Sequence, residues 1–256
     1  MLEQSKNNTV GLIPARWHSS RFEGKPLALI NGVPMIQRVY DRTTQCKELD
    51  TVVVLTDDKR INDYCVKNKI RCIVIEEECE TGTDRCAKAL ELIDGDIFVN
   101  IQGDEPLIEP NAVDELIRNH DTEIGVSNAY VKMSDEDAWH KLHDNNVVKC
   151  AIDMYDNAMY YSRFGIPYDK RAEPCFYQQL GLYAFNRETL KNFPNMSRGP
   201  LEKAESIEMM RFLENSWTVK MVQVEDVGLS VDTQEDLTRV EKYLDAQIKK
   251  AIFSRS

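Results

Sequence analysis

The sequence predicts an α/β fold in which a single mixed sheet carries an inserted antiparallel subregion. Short apolar segments alternate with segments of helical periodicity through the first half of the chain, as in a parallel sheet covered by helices. These apolar segments are hydrophobic at nearly every position, as strands buried on both faces are. After Pro110 the alternation gives way to paired strand-like segments separated by turn residues, which favours antiparallel pairing.

The first half predicts four strands and three helices. In chain order these are a strand at 9–13, a helix near 35–45, a strand at 51–55, a helix near 59–67, a strand at 71–75, a helix at 83–93 and a strand at 97–101. Because Pro14 cannot continue the first strand into a helix, the chain must turn at the carboxyl edge of the sheet, where open α/β sheets bind ligands. Residues 56–58 can cap the second helix.

The second half predicts a more varied series. It runs through a helix at 111–119, a strand at 124–131, a polar acidic stretch at 134–146, strands at 147–153 and 158–162, a strand at 181–185, a helix at 200–214, a strand at 218–224 and a helix at 233–250. A turn at Asp156–Asn157 joins the paired strands, and residues 232–235 have a capping pattern. No repeat or low-complexity linker divides the chain. We therefore expect one domain over 1–256, with a first part at 9–130, an inserted part at 147–215 and a return to the sheet at 216–250.

The composition excludes several classes of protein. The 256 residues carry a formal charge of −11, which disfavours nonspecific binding to nucleic acid or anionic membranes. No apolar run approaches the roughly 18 residues of a membrane span. Residues 1–8 are polar and predict no secretory signal, and seven cysteines, an odd number, favour reduced thiols in a cytoplasm. Four cysteines recur every seven residues from Cys65 to Cys86, but structural zinc sites use tighter pairs, so we interpret this spacing as coincidence.

A loop rich in cations follows the first strand. Arg16, Arg21 and Lys25 lie within ten residues of one another in an otherwise acidic chain, with only Glu23 between them as an opposing charge. Because this loop leaves the carboxyl edge of the sheet, we expect the three cations to surround one small volume and bind a polyphosphate. A carboxylate pointing inward would oppose that binding, so Glu23 is expected to face solvent.

Two aspartates are candidate metal ligands. Asp104 emerges from the fourth strand at the same sheet edge, and Gly103 beside it allows close approach of the backbone to a ligand. Mg²⁺ prefers one or two carboxylates together with phosphate oxygens and water, so Asp104 beside a polyphosphate indicates a magnesium site. The local sequence of Asp232, at the start of the last helix, favours a helix N-cap. The segment 81–85 fits either an anion-binding helix start, with Thr83 as its cap, or an ordinary turn.

The order of eleven short motifs is more specific than any one of them. The series is I-P-A-R, R-F-E-G-K-P-L, N-G-V-P-M-I, T-D-D, T-G-T-D-R, N-I-Q-G-D-E-P, N-N-V-V-K, Y-S-R-F-G-I-P-Y, L-G-L-Y-A-F, G-P-L-E-K-A-E and S-V-D-T-Q-E-D-L. From about residue 9 to 245 this series resembles the 3-deoxy-manno-octulosonate cytidylyltransferases (CMP-Kdo synthetases). The resemblance implies a nucleotide-diphospho-sugar transferase fold with a Rossmann-like mixed sheet, its inserted antiparallel part serving dimerisation and sugar binding in a homodimer. It also implies Mg²⁺-dependent transfer of CMP from CTP to an acidic keto-sugar, for lipopolysaccharide synthesis.

The resemblance also implies roles for individual residues. Arg16 and Lys25 match the triphosphate-binding cations with Arg21 assisting, and with Asp104 they are the expected catalytic residues. The nucleotide pocket corresponds to Pro14, Ala15, Thr81, Gly82, Arg85 and Gln102. Asp104 and Asp232 match the metal carboxylates, which replaces the local interpretation of Asp232 as a cap alone. The sugar site corresponds to Arg163, Gln179, Tyr183, Glu202, Glu205 and Glu208.

Two positions depart from the family pattern. Gln179 stands where the family usually has a histidine, and Met209 stands where a glutamine usually follows the third glutamate. Both changes alter size and hydrogen bonding. The acceptor is therefore expected to be Kdo or a close variant, with an amino-substituted octulosonate or a nonulosonate of the sialic acid type as alternatives. A nucleotide-binding module without activity is a third hypothesis, which the retained cations and aspartates disfavour.

Overall fold

A nine-stranded mixed sheet organises the computed structural model, which describes residues 7–19, 22–134, 138–168, 175–225 and 228–253. Within these ranges the strands are β1 (Thr9–Ala15), β2 (Leu29–Ile30), β3 (Val33–Pro34), β4 (Thr51–Thr56), β5 (Cys72–Val74), β6 (Ile97–Ile101), β7 (Val126–Met133), β8 (Lys149–Ile152), β9 (Ala158–Ser162), β10 (Phe176–Asn186) and β11 (Lys220–Gln223). The helices are α1 (Met35–Thr43), α2 (Lys59–Lys67), α3 (Gly82–Ala89), α4 (Pro110–Arg118), α5 (Ala138–His143), α6 (Arg187–Asn192), α7 (Pro200–Glu205), α8 (Met210–Glu214) and α9 (Gln234–Phe253). Lys25–Leu27 and Phe193–Asn195 form 3₁₀ turns.

The strand order confirms the predicted mixed sheet with an antiparallel insertion. It runs β11–β7–β10–β6–β1–β4–β5, and β10 is antiparallel to both β6 and β7, while β1 is parallel to both of its neighbours. The hairpin β8–β9 joins the sheet through β10. Because β1, β4 and β6 are parallel, their carboxyl ends lie at one edge, and the chain segments that leave them meet there.

Successive residues of the central strands pack into two cores, one on each face of the sheet. Leu12, Val53 and Phe98 lie in the core under α3, α6 and α8, whereas their neighbours Ile13, Val54 and Val99 lie in the core under α1, α2 and α4. This alternation explains why the central strands are apolar at nearly every position, since neither face meets solvent. Of the helices in the described ranges, none is long and apolar enough to cross a membrane.

The predicted helix at 200–214 is in fact two helices, and that prediction was wrong. Ser206 adopts a left-handed conformation with φ of 53°, and its backbone N–H donates to the Glu202 carbonyl at 2.8 Å, which ends α7. The chain then turns and resumes as α8 at Met210. Only a residue that tolerates positive φ can end a helix in this way, and serine gives little signal of it in a sequence.

Two predicted helix caps also fall on other residues. Thr81, not Thr83, caps α3. The Thr81 hydroxyl accepts a hydrogen bond from the Asp84 N–H at 3.1 Å, and the Asp84 carboxylate accepts one from the Thr81 N–H. Thr233 and Asp236 form the same reciprocal pair at the start of α9. The interpretation of Asp232 as a cap was therefore wrong. The predicted cap of α2 is confirmed, since the Asp58 carboxylate accepts from the Arg60 N–H.

Candidate active site

Two adjoining cavities lie where the chain leaves the carboxyl edge of the sheet. The first, of about 200 Å³, contains ten of the predicted site residues in its lining, namely Pro14, Ala15, Arg16, Lys25, Thr81, Gly82, Arg85, Gln102, Asp104 and Asp232. The second, of about 390 Å³, is lined by Arg163, Gln179, Tyr183, Glu202 and Glu208 among the residues predicted for the sugar. Arg16, Thr81, Gly82 and Gln102 line both cavities, so ligands in the two would meet. Arg21 lies outside the described residues.

Gly103 lets the loop after β6 pack against the end of β1. A Cβ atom at this position would lie 2.6 Å from the Pro14 carbonyl oxygen, a backbone atom that cannot move aside. Gly103 also lines the first cavity, so the predicted close approach to a ligand stays a prediction, and the close approach of two protein backbones is a second reason for glycine. The contact holds Ala15 and Arg16 against Gln102 and Asp104 in the wall of the first cavity.

Lys25 connects three parts of the chain at the first cavity. Its ammonium donates to Asp104 Oδ2 at 2.7 Å, to the Val231 carbonyl at 3.0 Å and to Asp232 Oδ1 at 3.4 Å. The 3₁₀ turn that carries Lys25 follows Gly24, whose φ of 68° favours glycine. These contacts place a cation between the two predicted metal carboxylates.

The same geometry tests whether the residues present suit a magnesium ion. Oxygens of Asp104 and Asp232 both reach one Lys25 nitrogen, so the carboxylates converge on a common region. The described chain contains no cluster of three or more His, Cys, Asp or Glu side chains suited to a metal. Two carboxylates that leave positions for phosphate oxygens and water fit Mg²⁺. Desolvation and the neighbouring Asp104 raise the pKa of Glu105 to about 8.

The start of α3 contributes Gly82 and Arg85 to the lining of the first cavity. Arg85 is 4% exposed, and its guanidinium donates to Asp57 Oδ2 at 2.6 Å and to the Ile75 carbonyl at 3.2 Å. Gly82 packs against the ring of Pro14, where a Cβ would lie 3.3 Å from Cγ. Arg85 is therefore a fixed part of the wall, held by contacts that Asp57 supplies from the end of β4.

Trp17 packs within the cationic loop, a role that the sequence analysis did not predict. The Trp17 carbonyl accepts from the Gly24 N–H at 3.0 Å, and its indole N–H donates to Glu23 Oε1 at 3.3 Å. The Arg60 guanidinium lies 3.5 Å from the centre of the Trp17 ring. The Glu23 side chain is 68% exposed, which confirms that it faces solvent.

Gln179 and Tyr183 form a hydrogen-bonded pair on β10 in the second cavity. Gln179 Nε2 donates to the Tyr183 hydroxyl oxygen at 3.0 Å, and both side chains are buried. Burial, reinforced by the charge of Glu208, holds the pKa of Tyr183 well above its usual value, so the phenol keeps its proton. The pair thus offers a ligand a hydroxyl donor and an amide oxygen. Gly181 between them makes room for Gln102, because a Cβ there would lie 2.7 Å from Gln102 Cγ.

Glu205 lies behind Arg163 and is not among the residues that line either cavity. Its carboxylate accepts from the Arg163 N–H at 2.8 Å, the Ser162 hydroxyl at 3.2 Å and the Tyr160 hydroxyl at 3.3 Å. Arg163 in turn donates through Nε to the Glu205 carbonyl at 2.6 Å. Glu205 therefore holds Arg163 in position but does not itself reach the cavity, so its predicted place in the sugar site was wrong.

The three remaining positions on this wall differ in their surroundings. Glu208 lines the second cavity and accepts from the Thr83 N–H at 3.2 Å, and burial raises its pKa. Glu202 is 1% exposed and is ion-paired with Arg198 and Arg211. Met209 is fully buried in the apolar core and lines neither cavity. The hypothesis that Met209 marks the choice of acceptor was therefore wrong, whereas Gln179 does lie in the second cavity.

Comparisons with known proteins match this architecture over most of the chain. A family model described as Cytidylyltransferase matches residues 10–226. The 3-deoxy-manno-octulosonate cytidylyltransferase of Chlamydia caviae is 40% identical over 92% of this chain and 93% of its own. The 8-amino-3,8-dideoxy-manno-octulosonate cytidylyltransferase of Shewanella loihica is 38% identical over 90% of this chain and 96% of its own. A solved CMP:2-keto-3-deoxy-manno-octonic acid synthetase complexed with CTP superposes with a TM-score of 0.87 at 33% identity, covering 94% of this chain and 99% of that one.

Proposed function

Since the chain belongs to the cytidylyltransferase family, a family of nucleotidyltransferases, we propose that it transfers CMP from CTP to the anomeric hydroxyl of 3-deoxy-manno-octulosonate (Kdo). The pair of cavities with a shared wall carries this proposal, because CTP in the first and the sugar acceptor in the second would touch. We call the first cavity the nucleotide cavity and the second the acceptor cavity. The acceptor oxygen forms a bond to the α-phosphorus of CTP, the bond from that phosphorus to the bridging oxygen breaks, and the hydroxyl loses its proton as pyrophosphate leaves.

Lys25 and Arg16 supply positive charge for the triphosphate in the first cavity. The free-energy barrier to attack on a polyphosphate is mainly electrostatic. Fixed cations and correct orientation of the substrates therefore account for most of the rate enhancement. Arg16 and Gln102 line both cavities and are placed to orient both substrates. We propose that Asp104 and Asp232 hold a Mg²⁺ ion, which when bound would neutralise charge on the phosphate oxygens.

The second cavity has the chemistry of a site for an acidic sugar. Arg16, Arg163 and Arg198 line it and supply positive charge for a carboxylate. The Gln179–Tyr183 pair and the Glu208 carboxylate add donors and acceptors for sugar hydroxyls. These groups favour an acceptor with one carboxylate and several hydroxyls.

An amino-substituted octulosonate is the second candidate acceptor. Gln179 places a neutral amide in the second cavity where the family pattern has an imidazole, and a relative of similar identity is named for the 8-amino sugar. Glu208 adds a carboxylate that would favour an ammonium group over a hydroxyl. The nonulosonate alternative has no comparable support in the cavity.

A substrate panel tests the proposal. Pyrophosphate release is expected with CTP and Kdo or its 8-amino form, and weaker release with other nucleoside triphosphates or with a nonulosonate. The ratio of kcat/KM for the two octulosonates distinguishes the two candidate acceptors. If no 2-keto-3-deoxy sugar acid supports release above the rate of CTP hydrolysis alone, the proposed function is wrong.

We propose that the chain forms a homodimer through the antiparallel subregion. Four large apolar side chains there are mostly exposed: Met154 at 98%, Tyr155 at 79%, Met159 at 64% and Phe164 at 78%. Such a concentration in one hairpin and its flank is typical of a protein interface. We also propose a cytoplasmic location, which the seven free cysteines support.

A charged residue in this hairpin is expected to dissociate the dimer. Met159→Glu should shift the mass measured by light scattering from two chains to one at micromolar concentration, because it would bury a carboxylate without a partner. Val66→Glu on α2 is the control, since Val66 is 67% exposed on another part of the surface. If the mass of the parent protein is already that of one chain, the homodimer proposal fails.

A further inference from the structure

Five charged side chains form a continuous series of ion pairs beside the two cavities. In order they are Asp84, Arg211, Glu202, Arg198 and Glu80. The series begins on α3, which walls the first cavity, passes through α8 and α7, and ends on Glu80, which lines both cavities. We call this series the charge ring, because its two ends lie close together: Glu80 precedes Thr81 in the chain, and the Thr81 N–H donates a hydrogen bond to Asp84.

Arg211 is the centre of the charge ring. Its Nη1 donates to Asp84 Oδ1 at 2.9 Å, and its Nε and Nη2 donate to the two carboxylate oxygens of Glu202 at 2.9 and 2.8 Å. The side chain is almost wholly buried, and its guanidinium lies 4.0 Å from the centre of the Phe193 ring. A planar guanidinium can make these three contacts in fixed directions, whereas a lysine ammonium cannot.

The second carboxylate oxygen of Asp84 accepts hydrogen bonds from Thr81, a residue that lines the nucleotide cavity. Oδ2 accepts from the Thr81 N–H at 3.0 Å and from the Thr81 hydroxyl at 2.8 Å. Asp84 itself lines neither cavity. Asp84 therefore contacts Arg211 through one oxygen and, through the other, Thr81, which lines both cavities.

Glu202 extends the ring to the acceptor cavity, which it lines. Its Oε1 also accepts from Arg198 Nε at 3.0 Å, and Arg198 reaches Glu80 through Nη1. Both carboxylate oxygens are thus directed by arginines. Glu202 on α7 is thus bound by the same guanidinium that binds Asp84, while Glu214 accepts from the Leu201 and Glu202 N–H groups at the start of α7.

We propose that Arg211 is a positioning residue that fixes the nucleotide cavity relative to the acceptor cavity. Arg211 lines neither of the two cavities, so it acts through Asp84 on one and through Glu202 on the other. Burying charged side chains costs desolvation free energy, so a buried ion pair is weak evidence that Arg211 serves stability alone. A bidentate guanidinium does, however, hold its carboxylate partners in a fixed geometry. The acceptor half of this inference rests on the proposed function; the nucleotide half does not.

The test compares Arg211→Lys with Arg187→Lys. Arg187 is a control at the opposite edge of the sheet, where its guanidinium donates to the carbonyls of Leu90, Ile93 and Gly95. Arg211→Lys is expected to raise the Kd for CTP, measured by calorimetry, and the KM for the acceptor each by about tenfold, within the range for residues that act on a site through another. Arg187→Lys should change melting temperature without changing either constant. A folded Arg211→Lys protein with both constants unchanged would overturn the proposal.

Asp84→Asn keeps the test decisive if Arg211→Lys does not fold. Asp84 touches no substrate cavity, yet its loss of charge should raise the KM for the acceptor as well as the Kd for CTP. An effect on CTP alone would show that the ring does not reach the acceptor and would overturn the inference. The CTP titration needs no acceptor, so it decides the nucleotide half even if the unaltered enzyme shows no turnover and the proposed function fails.

Discussion

Lys25→Ala is expected to lower kcat by about 10²–10³-fold while the protein stays folded, by analogy with the loss of one preorganised donor at a developing charge. The Lys25 ammonium lines the first cavity, 2.7 Å from Asp104, and it is fixed there by three acceptors. Its removal would take away a cation that both carboxylates contact. Those carboxylates would then repel the triphosphate, so the Kd for CTP should rise as well.

Lys88→Ala is the matched control for this prediction. Lys88 forms an ion pair with Glu77 at 2.9 Å and lines neither the nucleotide nor the acceptor cavity. Steady-state pyrophosphate release with saturating CTP gives kcat, and thermal unfolding shows whether each variant is folded. A Lys25→Ala enzyme with a turnover number close to that of the control would remove Lys25 from the mechanism.

The central strands could be predicted from the sequence because burial on both faces makes nearly every position apolar. β6 has the predicted bounds, and β1 and β4 differ from prediction only at their ends. The hairpin β2–β3 was missed because its strands are only two residues long, although Asn31 and Gly32 at its turn have the positive φ typical of an Asn-Gly turn. β10 was predicted too short because Gln178 and Gln179 interrupt its apolar pattern.

The nucleotide cavity was predictable for a different reason from the acceptor cavity. Parallel strands deliver their carboxyl ends to one edge, so cations and carboxylates that follow β1 and β6 must meet, and Lys25 and Asp104 do. The acceptor wall depends on side-chain pairing between distant segments, as when Arg211 bonds an aspartate 127 residues away. No local pattern distinguishes Glu208, which faces the cavity, from Glu205, which faces away from it.

Asp104→Asn is expected to reduce kcat by at least about 10²-fold and to raise the Mg²⁺ concentration that gives half-maximal activity. An amide keeps the size of the side chain but removes the negative charge that a hard divalent cation requires. The reduction in metal affinity can be measured apart from turnover, by titrating Mn²⁺ into the CTP complex and following its electron paramagnetic resonance signal. Asp63→Asn on the exposed face of α2 is the control, since Asp63 pairs only with Lys59 in the described structure.

Asp232→Asn tests the magnesium proposal more specifically, because it distinguishes two possible roles of Asp232, a metal ligand and a helix cap. Thr233 and Asp236 already cap α9, so the loss of the Asp232 charge should leave the melting temperature near that of the control while it weakens Mn²⁺ binding. A cap residue would show the opposite pattern, with the free energy of unfolding reduced by about 1 kcal/mol and metal binding unchanged. If Asp104→Asn and Asp232→Asn both bind Mn²⁺ as the parent does, neither carboxylate is a metal ligand and the magnesium proposal is wrong.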